Sequence, residues 1–132
     1  MKYLKNTLVE YLNVVLDKGL EWSDYRNIMY FDIETWYDPE KPRDNMPERA
    51  KQPITSLQCY LPNKEKYFVF AWHPEHTKDY EEPKIVNKGQ YVYMLCKDEE
   101  SMILGFINML NMMKVDIISG WYSAGYDLPY IV

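Results

Sequence analysis

The stretch from Ile28 to Glu34 most constrains the fold, because two carboxylates interrupt an otherwise apolar strand. The sequence IMYFDIE is apolar on both faces apart from Asp32 and Glu34, a pattern typical of a central strand covered on two sides. Residues i and i+2 of a strand point to the same face. The two acids therefore project together, with Cα atoms about 7 Å apart.

Buried like charges at that range cost several kcal/mol unless something offsets them. Divalent cations would do so, because hard oxygen ligands suit Mg²⁺ or Mn²⁺, and two such ions about 3.5–4 Å apart serve both sides of a phosphoryl displacement. An isolated pair of acids at this spacing more often marks a solvent-exposed edge strand. The apolar neighbours Met29, Phe31 and Ile33 favour the buried alternative.

Composition places the chain among ordinary soluble proteins of about one domain, with 132 residues of which 47% are hydrophobic. A net charge of −5 argues against a free-standing nucleic-acid binder, but an enzyme that meets phosphate through carboxylate-held metal ions is acidic by construction. Cys59 and Cys96 are too few for a disulfide scaffold and are not spaced as a metal pair. With no apolar run long enough for a membrane, we expect a cytoplasmic protein without a membrane partner, in the host cytoplasm if it is viral.

Hydrophobic periodicity divides the chain into an N-terminal part, residues 1–27, and a domain over residues 28–132. Leucine and valine spacing predicts a helix over residues 3–18, with a linker to the first strand. A proline-rich charged loop follows that strand, and then two strands, ITSLQCYL and KYFVFAW, that a short turn joins into an antiparallel hairpin. Residues 73–90 read as a second polar loop.

The second half of the domain reads as strand, helix, strand. After the short strand YVYML, Asp98 is the expected N-cap of the clearest helix. Its predicted buried stripe consists of Ile103, Phe106, Ile107, Leu110 and Met113. With the strand DIIS, the order predicts a mixed α/β sheet with helices packed on it. The last helix has barely begun at Val132, so the fold looks incomplete and the chain is expected to be a piece of something larger.

Asp127, in GWYSAGYDLPYIV, is the third candidate for chemistry. It follows the strand DIIS and a turn, and it opens a predicted helix in whose first turn Pro129 is tolerated. Its ordinary interpretation is a helix N-cap. It is also a candidate metal ligand if its strand neighbours the one that carries Asp32 and Glu34.

These motifs together resemble the 3′→5′ proofreading exonuclease domain of family B DNA polymerases. The segment FDIET looks like the first motif of that family, and DIISGWYSAGYDLPYIV looks like the second. The phage members are the most similar in spacing, and the likeness covers residues 28–132. The second motif matches at Asp116, Ile117, Ile118, Gly120, Trp121, Tyr126, Asp127, Pro129 and Tyr130.

The resemblance implies an RNase H-like fold, a five-stranded mixed sheet with helices on both sides, and two Mg²⁺ or Mn²⁺ ions acting on the 3′-terminal phosphodiester of DNA. Its catalytic and metal-binding residues would be Asp32, Glu34 and Asp127. Its partners would be a single-stranded 3′ end of DNA and the remainder of the polymerase chain. The residues that would bind the terminal nucleotide are Thr35, Trp121, Tyr122 and Tyr126.

Two departures from the family bear on activity. Tyr122 stands where the family usually has Asn, and the third motif, Y-x-x-x-D, is absent. The resemblance therefore implies a fragment that is weakly active or inactive alone. A non-catalytic module that positions DNA or binds a protein is the alternative, with the helix over residues 3–18 docking a partner. A related nuclease acting on RNA is a third interpretation.

Three further sets of residues have ordinary interpretations. The histidines His73 and His76 lie in a polar loop without Cys partners, so we expect them to be solvated. The 13 tyrosines mostly alternate along strands and are expected to pack, stacking on unpaired bases being the alternative. The best candidates for contacts with the DNA backbone are the cations of the long loop, Lys41, Arg43, Arg49 and Lys51.

Overall fold

The computed structural model describes residues 26–36, 40 and 51–131. The predicted helix over residues 3–18 and most of the proline-rich loop, with Lys41, Arg43 and Arg49, lie outside these residues. Lys51 lies within them and is exposed. None of the helices in the described part is long and apolar enough to cross a membrane.

Six strands form a single mixed sheet in the order β4-β5-β3-β2-β1-β6. Strand β1 runs antiparallel to β2, which runs antiparallel to β3, whereas β3 pairs with β5 and β1 pairs with β6 in parallel. This confirms the predicted mixed α/β sheet. The strands are β1 (Ile28–Thr35), β2 (Ile54–Leu61), β3 (Lys66–Ala71), β4 (Lys84–Lys88), β5 (Tyr91–Leu95) and β6 (Ile117–Ser119).

The β2–β3 hairpin forms as the sequence predicts. Its connection is a short 3₁₀ turn over Pro62–Lys64, closed by Glu65 in the left-handed conformation with φ 49°. The backbone amide of Glu65 donates to the carbonyl of Pro62 at 3.0 Å. Trp72 follows β3, and its indole nitrogen donates to the carbonyl of Ile54.

The sequence-based prediction is wrong for β4, because it assigned these residues to a polar loop. It therefore predicted a sheet of five strands, whereas the described residues form six. Lys84–Lys88 pairs antiparallel with β5 along its whole length, through a tight turn in which Gly89 has φ 64°. Two-residue hairpin turns with glycine at the first position require a positive φ there, and glycine adopts a positive φ without steric cost. Every residue of β4 is exposed, so the strand lacks the buried alternation from which strands are predicted.

Helix α1 (Glu99–Met113) covers one face of the sheet and begins at the predicted N-cap. The Asp98 carboxylate accepts a hydrogen bond from the Ser101 amide at 2.8 Å, and the Ser101 hydroxyl closes the capping box onto the Asp98 amide. The predicted buried stripe is wrong at Ile107, which is 44% exposed. The buried line is Met102, Phe106 and Met109, because the helix faces the sheet about one residue earlier than the stripe assumed.

Strand β1 lies inside the sheet, yet the prediction that both its faces are covered is not met in the described residues. Met29, Phe31 and Ile33 are buried in the core, where the ring of Phe31 stacks on that of Phe106 of α1 at 6.1 Å. Tyr30, Asp32 and Glu34 point to the opposite face and are exposed. The polar face needs no apolar cover because its carboxylates remain hydrated.

Candidate functional site

Asp32 and Glu34 share one face of β1, as their spacing predicts. The buried residues Phe31 and Ile33 alternate with them, which fixes both carboxylates on the exposed face. The pairing with β2 shifts register between Glu34 and Thr35, and such irregularities re-aim the side chains that follow. Thr35 is therefore half-buried at the end of the strand and lies outside the groove described below.

Asp127 is brought to β1 by β6, which runs parallel to it. Residues Ile28 to Tyr30 pair with Ile117 to Ser119, so the chain leaves β6 beside Phe31 and Asp32. Gly120 is required there, because a Cβ atom at this position would overlap the carbonyl oxygen of Phe31. Close approach, rather than turn conformation, explains this glycine.

A clamp between Asn27 and Asp116 holds this pair of strands in register. The Asn27 amide donates to the Asp116 carboxylate at 2.9 Å, and the Asp116 amide donates to the Asn27 carbonyl, also at 2.9 Å. The Asn27 side chain also donates to the carbonyls of Met113 and Lys114 at the end of α1. Sequence reasoning missed Asn27, which carries no signal beyond its position before the strand.

The segment after β6 folds into a π-helical turn, Ser123–Asp127, that continues into helix α2 (Leu128–Ile131). Asp127 therefore lies within a helical segment that begins four residues earlier, and its expected role as a helix N-cap is wrong. π-Helical turns are rare in proteins, and those that do occur are often found at functional sites. Here the wider turn places the Asp127 side chain inward, where only 3% of the residue is exposed.

The environment of Asp127 is unfavourable for a carboxylate. Its Oδ2 atom is buried and makes no hydrogen bond within the described residues. Burial raises the pKa of Asp127, and the charge of Asp32 raises it further. Asp32 on β1 and Asp127 in the π-helical turn are thus close enough to repel one another. One of them has an oxygen without a hydrogen bond in the described residues, which is an arrangement that a cation would relieve.

Tyr130 fixes the position of α2 relative to β2. Its hydroxyl donates to the carbonyl of Gln52 at 2.7 Å and accepts from the Gln52 amide at 3.0 Å. The ring is buried and contacts Tyr126, with 5.4 Å between ring centroids. Gln52 lies just before β2, and β2 neighbours β1 on the side opposite β6. Tyr130 therefore attaches the helix that follows Asp127 to the β2 side of the sheet.

A family model for the exonuclease domain of DNA polymerase family B matches residues 9–132. The chain belongs to this family. The DNA polymerase beta of African swine fever virus (isolate Tick/Malawi/Lil 20-1/1983) is 23% identical over 116 residues, which is 88% of this chain and 9% of the relative. The same enzyme from isolate Warthog/Namibia/Wart80/1980 is 23% identical over 110 residues, covering 83% of this chain and 9% of the relative. The chain thus spans about a tenth of these relatives' length, and the expected likeness to phage members stays a prediction.

The match to the family model confirms the resemblance to the exonuclease domain of family B DNA polymerases that the sequence motifs indicate. It also confirms the RNase H-like mixed fold. The structure brings Asp127 and Asp32 together but does not complete a metal cluster. Within the described ranges, no three His, Cys, Asp or Glu side chains lie close enough to hold an ion. The orphaned oxygen of Asp127 beside Asp32 fits part of a cation site, with Glu34 farther along the strand.

The aromatic residues expected to bind the terminal nucleotide of DNA separate in the structure. Trp121 is fully exposed and lines a groove of about 600 Å³ together with Asp32. Tyr122 is exposed with its ring over Gly125, and Tyr126 is half-buried against Tyr130. Of these three aromatic residues, Trp121 is the one that lines the groove with Asp32.

The groove also contains residues that sequence reasoning did not assign to a site. Gln58 lies opposite Asp32 on β2, and the remaining polar-face lining includes Tyr30, Tyr60, Tyr67 and Tyr91. The alternation of tyrosines along strands was the available signal. Their position side by side depends on strand register, which local sequence does not determine.

Proposed function

We propose that this chain supplies the 3′→5′ proofreading exonuclease chemistry of a family B DNA polymerase, hydrolysing the terminal phosphodiester of a single-stranded DNA 3′ end. The observation that carries the proposal is Asp127, buried with an unpartnered oxygen beside Asp32, in a chain of this family. A buried carboxylate next to a second acid is destabilising, so its retention is best explained by a ligand that neutralises it.

Asp32, Glu34 and Asp127 are the proposed ligands and catalytic residues. When Mg²⁺ or Mn²⁺ is bound, its charge neutralises phosphate oxygens and lowers the pKa of water at the scissile bond. Asp32 and Asp127 would provide oxygens for one ion. The two-ion arrangement implied by the resemblance requires Glu34 and ligands outside the described residues.

The neighbouring side chains are suited to holding the end of a DNA strand. The exposed indole of Trp121 offers a face for the terminal base, and Thr35, Tyr122 and Tyr126 are proposed to line the remainder of the nucleotide site. A phenol at position 122 donates and accepts one hydrogen bond where an amide offers more. Positioning by Tyr122 is therefore weaker than the family's Asn would give.

The binding of Mn²⁺ to the whole chain tests the proposed ligands. We expect Mn²⁺ to raise the melting temperature, by an amount that corresponds to about 2.7 kcal/mol at a hundredfold excess over its dissociation constant. Asp32→Ala and Asp127→Asn should each abolish the rise. Asp79→Ala, which removes an exposed acid elsewhere, should leave it unchanged, and an unaltered response in Asp32→Ala would contradict the proposal.

Hydrolysis of 5′-labelled oligonucleotides then tests the reaction. Mg²⁺-dependent shortening from the 3′ end of DNA should be weak for this chain alone, should exceed that of RNA, and should vanish in Asp32→Ala. Preference for RNA would favour the third interpretation. Vigorous degradation of DNA would contradict the expected weak activity.

A non-catalytic DNA-positioning or protein-binding module is the second candidate. It is favoured by the lack of a three-ligand cluster in the described residues and by Tyr122. The two proposals differ in their response to metal. A chain that binds single-stranded DNA but shows the same melting temperature with and without Mn²⁺ would support this second candidate.

A further inference from the structure

A row of four tyrosines crosses the sheet on the face that carries Asp32. Tyr30 of β1 pairs with Tyr60 of β2, Tyr60 pairs with Tyr67 of β3, and Tyr67 pairs with Tyr91 of β5. Directly paired residues point to the same face of a sheet. The tyrosine row is therefore a single feature, running at right angles to the strands from Tyr30 to Tyr91.

Three of the four tyrosine rings stack on one another in the structure. The ring centroids of Tyr60 and Tyr67 are 4.4 Å apart, and those of Tyr67 and Tyr91 are 5.1 Å apart. Among the described aromatic residues, none makes a ring contact with Tyr30. In the described part of the chain, the ring of Tyr30 is therefore not stacked on another ring, whereas Tyr60, Tyr67 and Tyr91 each stack on a neighbour.

The tyrosine row is exposed and continuous with the candidate site. Tyr30 is 48% exposed, and the groove of about 600 Å³ that holds all four tyrosines also holds Asp32 and Trp121. Rings that serve only as core packing would be buried by an opposing layer. The exposed rings of Tyr30, Tyr67 and Tyr91 are available for binding, and the groove that they line begins at the proposed ligand Asp32.

The charge along the tyrosine row changes sign from one end to the other. Lys88 of β4 pairs with Tyr91 and so extends the row, and Lys84 shares that face four positions along the strand. Acids Asp32 and Glu34 stand at the opposite end. A polyanion lying on the row would meet lysines at the far end and, in the proposed function, cations at the near end.

We propose that the tyrosine row binds unpaired bases of single-stranded DNA just upstream of the terminal nucleotide. This inference rests on the proposed function, which places the 3′ end at Asp32. Three strand spacings separate Tyr30 from Tyr91, which is about 14 Å. Stacked nucleotides advance about 3.4 Å each along a strand, so the length of the row matches about four bases.

Fluorescence anisotropy with an oligothymidylate of about six nucleotides tests the tyrosine row. The whole chain is used in EDTA, so that neither hydrolysis nor metal binding contributes. Tyr30→Leu and Tyr91→Leu should each weaken binding by at least about fivefold, as expected when a base loses its aromatic partner. Leu104→Ala, which removes an exposed apolar side chain of α1 outside the groove, is the control, and the melting temperatures show that all three variants are folded.

An oligonucleotide of the same length with abasic sugars separates bases from phosphates. We expect it to bind the wild-type chain as weakly as oligothymidylate binds Tyr30→Leu. Equal affinity for the two oligonucleotides, or unchanged affinity in both tyrosine variants, would overturn the inference. Loss of self-association in the variants by sedimentation, without a change in DNA affinity, would also overturn it and would make the row an interface between chains.

The proposed function can survive such a failure. The response of the melting temperature to Mn²⁺ depends on Asp32 and Asp127 and does not involve the tyrosines. Undiminished binding by both Tyr30→Leu and Tyr91→Leu together with an intact Mn²⁺ response would therefore remove the tyrosine row alone. Loss of the Mn²⁺ response with retained, tyrosine-dependent binding would remove the catalytic proposal alone.

Discussion

Gly120 lies so close to Phe31 that any Cβ atom at position 120 would overlap the Phe31 carbonyl oxygen. This contact sets the separation between the end of β6 and the middle of β1, one residue before Asp32. The π-helical turn that carries Asp127 starts three residues after Gly120. The spacing of the two acids therefore depends on the absence of a side chain.

We expect Gly120→Ala to lower the free energy of unfolding by about 1–3 kcal/mol, as overpacking does where the obstacle is backbone. Urea denaturation followed by circular dichroism measures the loss. Gly125→Ala is the matched control, because its Cβ would meet only the exposed ring of Tyr122, which can rotate away. Equal losses in the two variants would show that the Phe31 contact is not the constraint.

Asp127 should destabilise the metal-free protein. Its pKa is raised above the ordinary 3.8 by burial and then by Asp32, so the folded state holds the proton more tightly than the unfolded state. The stability that the protonated Asp127 contributes is therefore fully present below pH 3.8 and is lost as pH rises through the raised pKa. At neutral pH without metal we expect Asp127→Asn to raise the free energy of unfolding by about 1–2 kcal/mol.

Thermal denaturation of Asp127→Asn as a function of pH measures this gain, which should shrink as the solution becomes acidic. Asp32→Asn should gain less, since Asp32 is exposed. A neutral or destabilised Asp127→Asn in the absence of metal would mean that the carboxylate has a favourable partner outside the described residues.

The capping box of α1 gives a pH effect of opposite sign. Hydrogen bonds from Ser101 lower the pKa of Asp98, so the stability it contributes is present above its ordinary pKa and lost as pH falls through the lowered value. We expect Asp98→Ala to cost about 1 kcal/mol at neutral pH. Asp98→Asn should retain most of that stability, because Asn also caps helices well, but should lose the acid-side dependence, as measured by urea denaturation at several pH values.

The fold could be predicted wherever side-chain alternation coincides with burial. Strands β1, β2, β3 and β5 and helix α1 follow from apolar periodicity, and Asp98 follows from capping chemistry. Strand β4 could not be found, because all its residues are exposed and its pairing with β5 rests on backbone hydrogen bonds. Ile107 was misplaced because the apolar stripe of α1 is wider than the face it buries.

The acidic residues of the candidate site could be predicted from the sequence, but their arrangement in three dimensions could not. Spacing alone put Asp32 and Glu34 on one face, and the motif resemblance pointed to Asp127. The π-helical turn that buries Asp127 leaves no pattern in the sequence, since it depends on the chain passing Phe31 at Gly120. The tyrosine row depends on the register of four strands, which local sequence does not determine.

The two cysteines should be unreactive in the folded protein. Burial raises the pKa of the Cys59 thiol to about 12, and burial, followed by the charge of Asp98, raises that of Cys96. The stability contributed by the Cys59 thiol is thus present below pH 9.0 and is lost as pH rises through about 12. We expect iodoacetamide, followed by mass spectrometry, to modify both thiols only at the rate of unfolding, and rapid modification of the native chain would contradict this.

Tyr130 should stabilise the segment that carries Asp127 through its hydroxyl group. Tyr130→Phe removes two part-buried hydrogen bonds to the backbone of Gln52. We therefore expect a loss of about 1–3 kcal/mol in the free energy of unfolding. Tyr126→Phe is the matched control, since no hydrogen bond from its hydroxyl is seen in the described part of the chain. If Asp127 depends on this anchor, Tyr130→Phe should also weaken the Mn²⁺-induced rise in melting temperature. A variant that loses stability but keeps the full Mn²⁺ response would show that the hydroxyl supports the fold without positioning Asp127.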